Sequence, residues 1–330
     1  MLLTSPKSRA LLKTQIIINP ESNKGQTGTS WGLIKEALSN FFKEFKYEFT
    51  EKPTHATEIS RSAIKEGTEL VVGVGGDGTM NEIANGFFEN HEIINPKTSL
   101  GIVPSGTGSD FSKSLNIPRN LKKSMEIIIQ SPQADILDIG KVKYKTLSGD
   151  EEERFFLNVA DFGFGGEVVK RVEEKRLKRK ASSYLRTLIF TFVSYKSKKL
   201  SIKVDGKEYP TDEYLIGAVS NGSIFGKGMK VAPFALLDDG FLDVILVKGM
   251  EKFEFFLNVW RIYQGTHLSH PKIEFLRGRK VEVLSEDEED VLIEADGELI
   301  GKAPATFEIV PSILSVRTNL ANKPRATQGN

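Results

Sequence analysis

The period of the hydrophobic positions changes near residue 130. Before that point, short apolar runs alternate with segments whose apolar residues recur every three or four positions. "TQIIIN" (14–19), "YEFT" (47–50), "ELVVGV" (69–74) and "SLGIVP" (99–104) predict strands, and "WGLIKEALSNFF" (31–42), "HATEISRSAIKEG" (55–67) and "TMNEIANGFFEN" (79–90) predict helices. Strands alternating with helices argue for parallel βα units. Ser131-Pro132 breaks a helix. Beyond it, segments such as "ADILDIGKVKY", "LSIKVDG", "YLIGAVSNG", "FLDVILVK" and "DVLIEADGE" alternate apolar with polar residues between Gly and Asp turns. These predict an antiparallel β domain, read as a sandwich, with helical interruptions at about 166–196 and 251–263. The fold class is therefore α/β + β. A parallel α/β domain covers 1–132 and a β-sandwich domain 133–310. The segment at about 311–322 is a candidate to return to the first domain, and 323–330 forms a polar, frayed tail.

Length and composition narrow this little further. The chain has 330 residues, a span that suits two domains, and its 39% hydrophobic content suits ordinary cores. A net charge of +1 predicts no nucleic-acid or membrane partner from the whole-chain balance, so any such contact must come from a local patch. The absence of cysteine removes thiolate catalysis and Cys-ligated zinc, and fits a reducing compartment. The first residues, "MLLTSPKSRALLK", lack the continuous apolar stretch of a signal peptide, and no stretch reaches the ~18 apolar residues of a spanning helix. The expected location is cytoplasmic, with transient contact at the inner face of the membrane as an extension of that reading.

Candidate chemistry gathers at the ends of the predicted strands. "VVGVGGDGTMNEIANGF" (71–87) contains G-x-G-x-x-G from Gly73, with Asp77 among the glycines. Gly75, Gly76 and Gly78 permit backbone angles and close approaches that a Cβ forbids. Thr79 with Glu82 has capping-box spacing, and a helix start there would offer free N–H groups to a phosphate. The dinucleotide fingerprint fits poorly, because this loop follows the third strand and position 97 is lysine instead of an acid. No G-x-x-x-x-G-K-[ST] occurs, which excludes a P-loop. "VPSGTGSDFSKSL" (103–115) repeats the design with Gly106, Gly108 and Asp110. Two such loops would lie side by side at the carboxyl ends of a parallel sheet, where open α/β sheets bind ligands. Their carboxylates suit a phosphate that arrives with Mg²⁺, or a hydroxyl that must be held or deprotonated. A third loop, "NPESNKGQTG" (19–28), follows the first strand.

"NPESNKG", "GGDGTMNEIANG" and "IVPSGTGSDFSKSL" together resemble the diacylglycerol kinase catalytic-domain family, which includes sphingosine and ceramide kinases and bacterial soluble lipid kinases. "LNVADFGFGGEVV" (157–169), "SNGSIFGKGMKVAPFALLDDGFLDV" (220–244) and "EADGE" (294–298) match its later landmarks in order, so the resemblance covers about 14–315. The GGDGT and GTGxD pair is shared with NAD kinases and phosphofructokinases, whereas LDDGFLD and DGE narrow it to the lipid kinases. The resemblance implies a ligand cleft between the two domains. It implies ATP contacts from Asn19, Pro20, Glu21, Ser22, Asn23, Thr50, Gly75, Gly76, Asp77, Gly78, Thr79, Met80, Asn81, Thr107 and Asp110. It further implies a divalent ion around Leu236, Asp239 and Phe241, partly through backbone carbonyls, and the base role for Glu298, with Asp77 as the rival catalytic residue. Two departures stand out. Asn23 replaces the usual glycine, and Asn is the next best tolerated residue at positive φ. Ser109 replaces the usual asparagine, and its hydroxyl can cap the next helix but cannot span an amide's reach.

Other features read more plainly. The basic run "KRVEEKRLKRKASSYLRTLIF" (170–190) reads as a solvated helix face, with docking on anionic lipid as its alternative. "SEDEED" (285–290) reads as a hairpin tip, and His55, His267 and His270 lack metal-ligand spacing. The aromatics of "FEFFLNVWRIY" read as core, and that helix is one candidate wall for a lipid slot. The expected function is an ATP- and Mg²⁺-dependent lipid kinase with diacylglycerol as first acceptor and a sphingoid base next. Its expected partners are the lipid substrate, a peripheral membrane contact and, left open, a second copy in a homodimer. An NAD kinase-like enzyme and a non-catalytic nucleotide-binding regulator are the alternatives.

Overall fold

The computed structural model describes residues 12–131, 133–177, 184–286, 290–318 and 320. The polar tail 323–330, residues 178–180 of the basic run and residues 287–289 of the acidic run lie outside them. The chain divides into two compact units, Met1–Leu137 with Ile313–Asn330, and Asp138–Ser312.

The first unit runs β1 (Thr14–Ile18), α1 (Gln26–Thr29), α2 (Trp31–Phe41), β2 (Lys46–Phe49), α3 (His55–Lys65), β3 (Leu70–Gly75), α4 (Asp77–Asn85), the hairpin β4 (Phe88–Glu89) and β5 (Glu92–Ile93), β6 (Ser99–Pro104), α5 (Asp110–Ser114) and α6 (Leu121–Gln130). Strands β6, β3, β1 and β2 form a parallel sheet in that order. β1, β3 and β6 are buried along their whole length, which explains why they read as continuous apolar runs. On one face Ile16, Ile18, Val72 and Val74 pack with Ile34 and Leu38 of α2 and Met125 and Ile128 of α6. The opposite parity turns Gly73 toward Met80 and Ile83 of α4. The last strand of the chain, β16 (Glu298–Val316), adds its end in parallel beside β6 at Val316 and Leu100.

The second unit contains β7 (Asp135–Lys145), β8 (Glu151–Phe156), β9 (Val159–Gly163), α7 (Phe164–Leu177), α8 (Tyr184–Ser194), β10 (Lys198–Val204), β11 (Lys207–Ser220), β12 (Leu242–Lys248), α9 (Lys252–Asn258), α10 (Arg261–Gln264), β13 (Ile273–Gly278), β14 (Lys280–Ser285), β15 (Leu292–Ala295) and the greater part of β16. Its paired strands are antiparallel. The ladder β9–β11–β10–β14–β16–β15 returns to β9, so hydrogen bonds close the sandwich into a circuit. Two halves of β11 make this closure: residues 207–214 pair with β10, and 216–220 pair with β9. Phe156, Phe162, Phe307, Val281 and Val283 fill the interior.

Several local expectations change. Helix α4 begins at Asp77 with Gly76 as its N-cap, so Thr79 is not a cap. The Glu82 carboxylate instead accepts from the amides of Thr54 (3.0 Å) and Ala56 (3.1 Å) at the start of α3. No hairpin joins β14 to β15: β14 pairs with β10 and β16, whereas β15 pairs with β16 and β9. The aromatics of 253–263 are mostly not core, since Phe253, Phe256, Trp260 and Tyr263 are exposed, as is Leu257 among them. Apolar residues surround these short helices instead of forming one stripe, and only one side can face inward. Among the described residues, no helix is long and apolar enough to cross a membrane.

Candidate active site

Three loops at the carboxyl ends of β1, β3 and β6 are tied together by side chains. Asn19 takes the β1 end, where its N–H donates to Val74 O (3.0 Å) and its Nδ2 to Thr79 Oγ1 (3.0 Å). Its Oδ1 accepts from the amide of Glu21 (3.0 Å), and its carbonyl accepts from Ser22 Oγ (2.9 Å). The Pro20 carbonyl accepts from Gly28 N–H at 3.1 Å. Asn23 stands at φ 53° with its amide on Gln26 Oε1 (2.8 Å), so the turn forms without the usual glycine. Thr27 Oγ1 contacts both Ser22 Oγ (2.6 Å) and Ser105 Oγ, joining the first loop to the third. Thr50 follows β2, and its amide donates to Ile18 O (2.8 Å).

The glycines are there for proximity. None of Gly73, Gly75, Gly76, Gly78, Gly106 and Gly108 has positive φ. A Cβ on Gly106 would lie 2.5 Å from Gly76 Cα, so the two loops touch backbone to backbone. A Cβ on Gly75 would lie 2.6 Å from Thr79 Oγ1.

The carboxylate among those glycines has a direct structural use. Asp77 Oδ2 accepts from Asp110 N–H (3.0 Å), and Oδ1 accepts from Phe111 N–H (3.1 Å). It thus caps α5 from the neighbouring loop, the role expected of Ser109. Ser109 stands in the left-handed region at φ 52° and turns its hydroxyl to Gly106 O (3.2 Å). Burial pushes the Asp77 carboxyl up, against the pull of the two amides. Asp110 is paired with Lys113 at 2.7 Å. The first-turn amides of α4 have no partner within the helix, the kind of helix start that suits an anion. Gly78 lies in that turn. Met80 and Asn81 do not turn their side chains to the loop surface. Met80 packs against Gly73, Asn81 Oδ1 accepts from Asn85 Nδ2 (3.1 Å), and both residues are buried. Thr107 is exposed, and Arg119 donates to its carbonyl and to that of Gly108 (3.1 Å).

In the second unit, Asp296 (φ 49°) and Gly297 (φ 89°) make the two-residue turn between β15 and β16, with Ala295 opposite Glu298. Asp296 accepts from the amides of Leu157 (2.7 Å), Asn158 (2.9 Å) and Val159 (3.2 Å), which pins the turn. Half-buried Glu298 is ion-paired with Arg154 at 2.6 Å. In the "LDDGFLD" loop, Asp239 Oδ1 accepts from Phe241 N–H (3.1 Å) and Oδ2 pairs with Arg277. Arg277 also lies 3.3 Å from buried Asp243 and over the Phe241 ring. Asp138 takes the amides of Gly240 (2.6 Å) and Ser312 (2.7 Å).

The oxygen donors considered for Mg²⁺ already carry partners. Asp77 and Asp110 are hard donors on touching loops, with Oδ2 atoms 3.2 and 3.8 Å from the point where a Gly108 Cβ would stand, and they suit an ion that shares them with the two amides on Asp77 and with Lys113 on Asp110. The Asp239 side chain is likewise taken, by the Phe241 amide and the Arg277 guanidinium. Among the described residues, no group of three or more His, Cys, Asp or Glu side chains is placed to hold a metal.

The same unit holds an apolar cavity of about 140 Å³, close in size to cavities that stay dry and take up a benzene ring. Phe164 and Val168 of α7, Leu188 of α8, Phe255 of α9, and Val259 and Ile262 beyond it contribute walls. His267, whose Nε2 contacts Val231 O at 2.9 Å, is one of its few polar groups, and burial pushes its imidazole down.

Sequence reasoning missed Thr27, Ser105, Arg119, Arg154 and Arg277. Thr27 and Ser105 lie within the candidate loops after β1 and β6, whereas the arginines carry no local signal.

Comparison with known proteins places both halves. Residues 13–142 match the diacylglycerol kinase catalytic domain, and residues 158–318 match the YegS C-terminal NAD kinase beta sandwich-like domain. A diacylglycerol kinase of Staphylococcus carnosus (strain TM300) is 28% identical over 309 residues, 89% of this chain and 91% of the relative. One of Staphylococcus aureus (strain MRSA252) is 29% identical over 307 residues, 89% of each. The crystal structure of a putative diacylglycerol kinase from Bacillus anthracis str. Sterne shares the fold with a TM-score of 0.75 at 24% identity, covering 97% of this chain and 99% of that one. With the glycine-loop half and the sandwich half matched in order along one chain, the protein belongs to the diacylglycerol kinase catalytic-domain family.

Proposed function

We propose that this protein is an ATP-dependent lipid kinase that transfers the γ-phosphoryl group to a lipid hydroxyl, with diacylglycerol the first acceptor and a sphingoid base the next. The observation that carries the reading is the Asp77 bridge, which presses two glycine loops together beside the free first-turn amides of α4. Phosphoryl transfer asks for positioning and charge neutralisation more than for covalent catalysis. The loop amides and Thr79 bind and orient the phosphates. Mg²⁺, held by Asp77 and Asp110 when bound, supplies neutralisation of phosphate charge. The acceptor oxygen attacks the γ-phosphorus, the bond to ADP breaks, and Glu298 takes the hydroxyl proton. The apolar cavity of the second unit supports an acceptor with hydrocarbon chains.

Labelled ATP, incubated with a panel of diacylglycerol, sphingosine, ceramide and a polyprenol in detergent micelles, tests the proposal. Label in the lipid phase with diacylglycerol is the expected result. Label in NADP when NAD is supplied, or in no acceptor, overturns it.

A further inference from the structure

Helices α8 and α9 present an aromatic face that the fold leaves uncovered. Phe190 (68% exposed) and Val193 (48%) of α8 share it with Phe253 (75%) and Leu257 (56%) of α9, and Trp260 (52%) and Tyr263 (51%) extend it. The two helices are locked together, since Phe192 stacks on Phe255 at 3.8 Å and meets Phe256 edge-on at 5.7 Å. Several of their polar groups are bonded to their own backbone. Trp260 Nε1 donates to Leu257 O (2.7 Å), Thr191 Oγ1 to Thr187 O (2.8 Å) and Ser194 Oγ to Phe190 O (3.2 Å). The nearby charges are used internally as well. Glu254 holds Lys272 (2.7 Å) and faces His270, while Arg261 donates to Thr266 O (3.0 Å) and Ser269 Oγ. What these helices offer outward is thus largely aromatic and aliphatic area, although Arg186 of α8, Lys196 just beyond it and Glu251 at the start of α9 are exposed as well.

One observation ties this face to the apolar cavity. Leu188 of α8, Phe255 of α9 and the adjoining Val259 line the apolar cavity, so the helices that expose the aromatics outward form the cavity wall inward. We propose that this α8–α9 face inserts into the interface of a lipid bilayer and brings the apolar cavity against the membrane in which the acceptor resides. The proposal rests on the lipid-kinase reading for its purpose, though its test does not. Large amphipathic rings are suited to the headgroup boundary, and an apolar face of this kind binds by buried area. Attachment then does not depend on anionic lipid. This differs from docking through the basic run at 170–180, which would need negative headgroups and weaken with salt.

The test is flotation of the full chain with phosphatidylcholine vesicles, without ATP or acceptor, at about 0.1 and about 1 M NaCl, where screening lengths are ~10 and ~3 Å. The protein is expected to float equally at both salt concentrations. In a Trp31→Phe background Trp260 is the remaining tryptophan, and its emission should shift to the blue and be quenched by brominated lipid. The combined variant Phe190→Ser, Phe253→Ser, Leu257→Ser should lose partitioning by roughly tenfold or more, since each change removes several apolar carbons from the inserted surface. Its melting temperature should stay near that of the parent, because these side chains are already exposed. Four results would overturn the proposal: no flotation, a variant that floats like the parent, binding abolished at high salt, or gel filtration showing a dimer that the variant turns into monomer. Flotation without lipid phosphorylation would refute the kinase reading alone. Phosphorylation of a dispersed short-chain acceptor without flotation would refute this proposal alone.

Discussion

Asp161 and Glu294 are register partners across β9 and β15, and both are completely buried. Glu294 Oε2 also accepts from Gly297 N–H (2.8 Å), beside the turn that carries Glu298. Burial pushes Asp161 up to about 7 and raises Glu294 well above the ordinary carboxyl range. The neighbouring Asp161 and Asp296 charges add to the rise at Glu294.

This pair gives stability a pH dependence with a definite sign. Its folded-state proton affinity exceeds the ordinary carboxyl value of about 4, so its contribution is full below about pH 4 and is lost as pH rises through about 7. Asp161→Asn keeps the shape and donates to Glu294. Melting curves from pH 4 to 8 should show the variant gaining on the parent as pH rises. A constant difference across that range would contradict the raised proton affinity of the pair.

Gly106→Ala should separate the two glycine loops, because the new methyl would fall 2.5 Å from Gly76 Cα. Overpacking of this kind costs about 1–3 kcal/mol. Both the melting temperature and ATP affinity should fall, and a thermal melt with an ATP titration reads both. If neither moves, the loops do not need their contact.

Asp77→Asn and Glu298→Gln should separate clamp from base. The asparagine amide would point a donor at a donor, since both Asp77 oxygens accept from amides. Stability should drop by about 1–2 kcal/mol, and turnover on the order of 10²-fold or more. Glu298→Gln removes the charge that pairs with Arg154 but keeps an oxygen that can accept from it, so the melting temperature should fall only slightly and ATP affinity should stay in place while kcat falls roughly 10²–10⁴-fold. Unchanged kcat for Glu298→Gln beside an inactive Asp77→Asn would give the base role to Asp77.

The "LDDGFLD" loop is held by Arg277, so EDTA and Mg²⁺ should leave the melting temperature unchanged, whereas Asp239→Ala should lower it by stranding the guanidinium. A melting temperature that falls with EDTA in the parent and to the same extent in Asp77→Asn would show that the carbonyls of Leu236 and Phe241 take a cation despite the arginine.

The sequence was legible where its signals are local. β1, β3 and β6 announced themselves as apolar runs because they are buried on both faces, and Asn23 could be placed at positive φ because it stands where the resembled family has a glycine and asparagine tolerates that backbone. The site was less legible because its connections are long. Asp77 caps amides 33 and 34 residues away, Glu82 serves an amide 28 residues before it, and Arg154 reaches Glu298 across 144 residues. Thr79 and Glu82 have the spacing of a capping box, but tertiary partners claim both side chains. The helix at 251–263 misled for a different reason: an apolar pattern does not say which apolar side meets protein.

The strand that flanks β6 is drawn from the far end of the chain, where Ser315 Oγ meets Ser99 Oγ at 3.1 Å across 216 residues. On the ribosome, that separation becomes time. At ~5–20 residues per second, the edge of β6 waits roughly 10 to 40 seconds for its neighbour, while the whole sandwich is synthesised. An unpaired strand edge is a template for unwanted partners. The newborn first unit is therefore most exposed to aggregation while the second is being made, and a chain stalled before residue 313 would keep that edge open.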